Sequence, residues 1–165
     1  MLLVRAPKAL LRVDSNDLSS DFLVWLLTSA MPIEVVSSFN EAWVTSDVDA
    51  AMACVAEDAV YALYISGELL PAGGETVGRD NIAAALRKIR ECFDYLLYRP
   101  LHLHAKGDVV RYQVEFMYRH RPSGETLSGR FRMVMRVKDG LLIRADEYHD
   151  RPKVEAFMRL FGGGN

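Results

Sequence analysis

The chain has 165 residues, half of them apolar and a quarter charged, a composition that suits one globular domain with a real core and excludes bulk disorder. Its net charge of −2 supplies no positive field for phosphates, so nucleic acid is not an expected partner. Cys54 and Cys92 fall in helix-like segments without a short-spaced partner and read as buried thiols.

In residues 1–30 the apolar runs are too short to span a bilayer, and the charges do not form a secretory signal. No membrane partner and a cytoplasmic location are therefore expected. This stretch reads as an N-terminal extension of uncertain order. It carries a short helix over 18–29, docked through Phe22, Trp25 and Leu26. Pro32 suits the first turn of a new helix, along which Ile33, Val36, Phe39, Trp43 and Val44 recur near the helical period. Asp47 or Asp49 can cap a short second helix through Val55. The run AVYALYI over 59–65 is β-branched and aromatic and predicts a first strand. Residues 67–78, rich in glycine, read as a loop or loose hairpin arm.

Asp80 opens a helix whose stripe is Ile82, Leu86, Ile89 and Phe93, with basic residues late in it to suit the dipole. Strands follow near 96–105, 109–119, 127–137 and 141–149, joined by short glycine-containing turns that imply an antiparallel meander. A helix over 152–161 precedes a flexible glycine-rich tail at 162–165. The pocket domain itself is expected over 31–161.

Two strands have faces that differ sharply. Val110, Tyr112, Val114, Phe116 and Tyr118 alternate with Arg111, Gln113, Glu115 and Met117, and Phe131, Met133, Met135 and Val137 alternate with Arg130, Arg132, Val134 and Arg136. Pattern alone puts the charged faces in solvent, because one wetted face is normal for an antiparallel sheet.

The order of these elements resembles the nuclear transport factor 2-like superfamily, which includes SnoaL-like polyketide cyclases, ketosteroid isomerases and limonene-1,2-epoxide hydrolase. The cues are FNEAWVTSDVDAAM, VAEDAVY, ETVGRDNIAAAL, VKDGLLIRADEY and the closing Tyr148-His149-Asp150, covering about residues 33–160. The resemblance implies an α+β fold: a cone-shaped, curved, mixed but mostly antiparallel sheet around a pocket closed by N-terminal helices. It also implies a homodimer through the outer sheet face, which would bury Tyr112, Val114, Phe116 and Tyr118 and reverse the pattern-only choice of wet face.

For the site, Asp150 looks like the carboxylate that ends the last strand in the epoxide hydrolase, although it also suits a helix cap ahead of Pro152. Glu115 and Gln113 occupy the places of the aspartate and arginine of that enzyme's strand motif, and glutamine cannot supply the positive charge. Tyr61 matches a water-holding tyrosine, whereas Leu63 replaces its asparagine. Against ketosteroid isomerase the match fails at Leu63, Phe39 and Met133, which removes the base and both oxyanion donors. His102 and His104 could make two metal ligands, but no third is specified, so neither metal nor cofactor is expected. His149 is expected near the rim or an interface, His120 exposed at a hairpin end, and Arg144 with Asp146 either in a salt link or as binding groups.

The expected function is cofactor-independent acid/base chemistry on a small apolar oxygenated ligand, either epoxide-hydrolase-like or polyketide-cyclase-like. Asp150 would be the base, Glu115 the acid, Tyr61 a positioning donor, and Gln113 an orienting group. The alternative is a non-catalytic small-molecule-binding or assembly domain of the same fold.

Overall fold

The computed structural model describes residues 2–6, 9–13, 20–70 and 72–162, with side chains from residue 31 onward. Strands β1 (Leu2–Ala6) and β2 (Ala9–Val13) pair antiparallel as a two-stranded sheet of their own. Helix α1 runs unbroken from Ser20 to Val44 with Pro32 inside it. Pro32 therefore does not start a helix as its residue type suggested. A proline forfeits one ladder hydrogen bond, and here the helix is held by what it packs: Val36, Phe39 and Trp43 are each at most 4 % exposed. The expected docking through Phe22, Trp25 and Leu26 lies outside the described side chains, and the tail beyond Gly162 lies outside the described residues.

Asp47, not Asp49, caps the short α2 (Val48–Ala53), its carboxylate accepting from the Ala50 amide at 2.9 Å. Strand β3 (Val55–Leu63) begins earlier than expected, running through Glu57 and Asp58 across a register shift between Val55 and Val60. The glycine-rich segment returns as β4 (Gly74–Val77), antiparallel to β3. Helix α3 (Arg79–Cys92) follows Gly78, whose φ of +90° suits glycine. The meander is β5 (Phe93–Lys106), β6 (Val109–His120), β7 (Thr126–Lys138) and β8 (Leu141–Tyr148). Asp139 and Gly140, both at positive φ, make the two-residue turn between β7 and β8. Helix α4 (Arg151–Phe161) closes the chain.

The six strands lie in the order β4-β3-β8-β7-β6-β5, all antiparallel except the β3–β8 pair. Helix α1 packs across β5 to β8, and α3 packs on β3, β4 and β5, so one sheet face is covered and the other is wet. The covered face holds Val110, Tyr112, Val114, Phe116 and Tyr118, each at most 7 % exposed, together with Phe131, Met133 and Met135. This overturns the reversal drawn from the family resemblance. The aromatic set is the lining of the chain's own core, and Arg111, Gln113, Glu115 and Met117 face outward. Any homodimer through the outer face would meet that charged surface instead.

Burying a side chain such as Phe131, 2 % exposed, stabilises by about 1.5–3 kcal/mol. Cys54 and Cys92 are free and only half-buried, with burial pushing both thiols up. His120 is 3 % exposed, not exposed as expected. Its ring sits between Phe93 and Phe157, and Nδ1 meets the Ser123 hydroxyl at 2.9 Å.

Candidate functional site

Between the helices and the covered sheet face lies a cavity walled by Phe39, Trp43, Leu86, Phe93 and Tyr118, among others. Its water-accessible volume is about 40 Å³, more than the ~10–15 Å³ that one water requires but still a slot between side chains. Only a few polar groups enter this wall, and the alternation of β8 explains which. Arg144, Asp146 and Tyr148 point outward, where Arg144 bonds Asp146 and Glu75 at 2.8 Å. Glu147 and His149, two residues apart, point inward.

Glu147 stands in the parallel register opposite Leu63 of β3. The Tyr61 hydroxyl donates to its Oε2, and His149 Nε2 donates to Oε1 at 2.5 Å. With Nε2 carrying the hydrogen, Nδ1 of a neutral ring is left as an acceptor. That Nδ1 is buried and has no hydrogen-bond partner. Ring contacts fix the imidazole: it stacks on Phe131 at 4.3 Å and meets Phe116 edge-on at 5.3 Å. The His149 side chain is 8 % exposed and that of Glu147 14 %. A carboxylate so placed is tolerated because donors occupy both of its oxygens.

Tyr95, Tyr98 and Tyr118 line more of the wall. Tyr98 and Tyr112 both donate to Asn40 Oδ1 at 3.2 Å, while Asn40 Nδ2 donates to the Val36 carbonyl at 2.9 Å. Burial, reinforced by the Glu147 charge, pushes Tyr61, Tyr98 and Tyr118 well above the ordinary phenol value. Tyr95 and Tyr112 move the same way, chiefly through burial. All five remain protonated donors near neutral pH.

Of the four residues expected at the site, the structure brings only Tyr61 to the cavity. Asp150 is exposed and caps α4, its carboxylate accepting from the Lys153 amide at 3.3 Å. Glu115 lies on the outer face, paired with Arg99 and, at 3.8 Å, with Arg130. Gln113 is exposed on that same face, in an open groove with His102, His104 and Arg132. Among the described residues no three His, Cys, Asp or Glu side chains converge as a metal site. No described helix is long and apolar enough to cross a membrane.

Glu147 and His149 went unnoticed in the sequence, although their signal is there. In Glu-Tyr-His-Asp over 147–150, strand alternation puts Glu147 and His149 together and sends Tyr148 and Asp150 the other way. The expected Asp150 belongs to the set that the structure turns away from the cavity.

A curved mixed sheet folded over helices, with a few polar groups inside an apolar slot, defines a pocket protein of the nuclear transport factor 2-like type. The family model for the SnoaL-like domain matches residues 36–145, and the chain belongs to that family. Among solved structures it is similar to a nuclear transport factor 2-like protein of unknown function from Burkholderia pseudomallei. That pair shares 17 % identity over 79 % of this chain and 97 % of that one, with a TM-score of 0.69. A candidate polyketide cyclase from Xanthomonas campestris shares 20 % identity over 77 % and 98 %, with a TM-score of 0.66. TerC, co-crystallised with polyporic acid, shares 18 % over 79 % and 97 %, also at 0.66. Likeness at these identities shows the fold. No curated protein matches the chain.

Proposed function

We propose that the protein is a cofactor-independent acid/base enzyme that moves a proton on a small apolar oxygenated molecule, in the manner of a cyclase or isomerase. The observation that carries this reading is the buried Tyr61–Glu147–His149 chain, which ends in a buried imidazole nitrogen without a partner, on a side chain that lines the slot. His149 Nδ1 takes the proton. Glu147 orients the ring and stabilises the imidazolium that forms, and Tyr61 holds the carboxylate in place. A positioned base of this kind contributes about 10²–10⁴-fold. The surrounding aromatic faces suit a flat, unsaturated ligand and exclude water from the transfer.

The epoxide-hydrolase branch is the weaker one. The epoxide-hydrolase arrangement expected from the resemblance opposes two carboxyl groups, and among the described residues Glu147 is the sole carboxylate in the cavity wall. The non-catalytic binding reading draws support from a different feature, the engagement of both Glu147 oxygens by protein donors.

Hydrogen–deuterium exchange at the α-carbon of β-dicarbonyl and polyketide-like compounds, followed by NMR in D₂O, tests the proposal. Expected is exchange catalysed by the wild-type protein, about 100-fold slower or worse in His149→Gln and Glu147→Gln, and unchanged in Asp150→Asn. Ligand retained in native mass spectrometry without any exchange would transfer the reading to a binding domain.

A further inference from the structure

The outer face of the sheet carries a second concavity, the open groove across β5 to β8, with a volume of about 570 Å³, which is in the range of small-molecule sites. Arg111, Arg132, Gln113, His102 and His104 line it, and no carboxylate does among the described residues. The two arginines are exceptions on this sheet. Arg99 and Arg130 pair with Glu115, Arg119 with Asp94, Arg136 with Asp108, and Arg144 with Asp146 and Glu75, whereas neither Arg111 nor Arg132 meets a carboxylate among the described residues.

Strand register brings these two cations together. Arg111 stands opposite Val134 and Gln113 opposite Arg132, so the two arginines are diagonal neighbours on one face. Long side chains on a diagonal reach each other, and like charges so placed repel. An anion between them removes that repulsion. On one side Tyr148 stands opposite Arg132. The Arg132 guanidinium lies over its ring, 5.6 Å from the centroid, and the ring itself stacks on Tyr64 at 4.5 Å and 8°. A guanidinium stacked on a ring keeps its planar fork of donors available. On the other side β5 carries a bulge. Leu101 stands opposite Gln113 but His104 opposite Arg111, with one extra residue between them and His102 at φ +56°. A regular strand would set Leu103 beside Arg111; the bulge leaves Leu103 packed on the core and His104 exposed next to the cation.

We propose that this groove is a binding site for a small aryl phosphate monoester, separate from the internal slot and independent of the proton-transfer reading. A phosphate monoester carries a charge of about −1.5 to −2 near pH 7 and three acceptor oxygens, which matches two guanidinium charges. Arg111 and Arg132 offer bidentate forks to it. Each imidazole presents an N–H in either tautomer, and Gln113 adds an amide donor. The Tyr148 ring and Val134 line the same groove and supply the apolar surface for the aryl group. A carboxylate, with one charge, leaves half of the cationic pair uncompensated. A second copy docked two-fold on this face would bring the same two cations into the shared interface.

The test titrates phenyl phosphate, benzoate and inorganic phosphate into the full chain at low salt by calorimetry, with NMR of the Gln113 side-chain amide and the His102 and His104 rings to place the ligand. Wild type, Arg111→Gln, Arg132→Gln and Arg136→Gln are compared, with thermal melting as the check on folding. Expected is binding of phenyl phosphate that shifts those three side chains and weakens by about 10-fold or more in Arg111→Gln and in Arg132→Gln, the loss of one charged hydrogen-bonding partner. Arg136→Gln, whose arginine pairs with Asp108, should bind like wild type. Benzoate and inorganic phosphate should each bind about 10-fold more weakly than phenyl phosphate, the first for want of charge and the second for want of a ring. Equal binding in all four proteins, or shifts confined to residues of the internal slot, overturns the site. A wild-type chain that sediments as a dimer and takes up no phenyl phosphate gives this face to a second copy and overturns it as well.

Discussion

Tyr61→Phe is the most direct probe of the buried chain. The substitution removes one oxygen and keeps the ring, so packing around a residue that is 9 % exposed is preserved, and the loss isolates the donor to Glu147 Oε2. A hydrogen bond to a charged group contributes about 1.5–3 kcal/mol, and for a chain of this size that shifts the melting temperature by roughly 3–12 °C. Tyr64→Phe serves as the comparison, since Tyr64 is 43 % exposed and its bond to Asp146 at 3.1 Å is solvated. It should cost no more than about 0.5 kcal/mol. Urea unfolding at pH 7 of wild type, Tyr61→Phe, Glu147→Gln and the double variant forms a thermodynamic cycle. Because a neutral amide accepts a weaker bond than a carboxylate, the cycle should return a coupling of about 1 kcal/mol. Additive single effects, or a Tyr61→Phe loss as small as that of Tyr64→Phe, would refute the claim that this phenol anchors the carboxylate.

Three further outcomes are expected. Asp150→Ala should destabilise by about 0.5–2 kcal/mol through loss of the α4 cap, and Asp150→Asn should restore stability, both with unchanged proton exchange. A loss of exchange in Asp150→Asn with the fold intact would return Asp150 to the site. His120, which burial lowers below the ordinary 6.5, takes up its proton at lower pH in the folded chain than in the unfolded one. As pH falls through 6.5 the unfolded chain binds this proton more readily than the folded chain, so stability should fall on acidification and not above that range. Urea midpoints at pH 7.5 and 5.5 should converge more closely in His120→Gln than in wild type. At the alkaline end, Tyr61, Tyr95, Tyr98, Tyr112 and Tyr118 are all raised in the folded state. Stability should therefore decline above pH 10, and phenolate absorbance at 295 nm should show these five ionising together with unfolding, not before it.

The secondary structure was largely legible from local pattern because local physics decides it. The Ile82–Leu86–Ile89 stripe, the period-two strands near 109–119 and 127–137 and the Asp139-Gly140 turn each announce one backbone geometry, whereas Phe93, read as the end of the helix stripe, opens β5 instead. Pro32 misled because its effect on a helix is local, whereas the helix around it is held by tertiary burial of Val36, Phe39 and Trp43. The order of elements also carried the family resemblance, since topology follows from that order and from the lengths of the connections.

What only the tertiary structure decided is which way each alternating strand faces. The sequence by itself sorts Tyr112 from Gln113, and Glu147 and His149 from Tyr148 and Asp150, into opposite sets. It does not say which set is inside, because alternation has a period but no direction. Helix α1 lying across β5 to β8 settles it, placing the phenols, Glu147 and His149 in the cavity and leaving Glu115, Gln113 and Asp150 in water. Donors for a buried carboxylate come from Tyr61, 86 positions away. Such partners become neighbours only when β3 pairs parallel to β8 inside the open sheet, a contact between distant segments that no local pattern encodes.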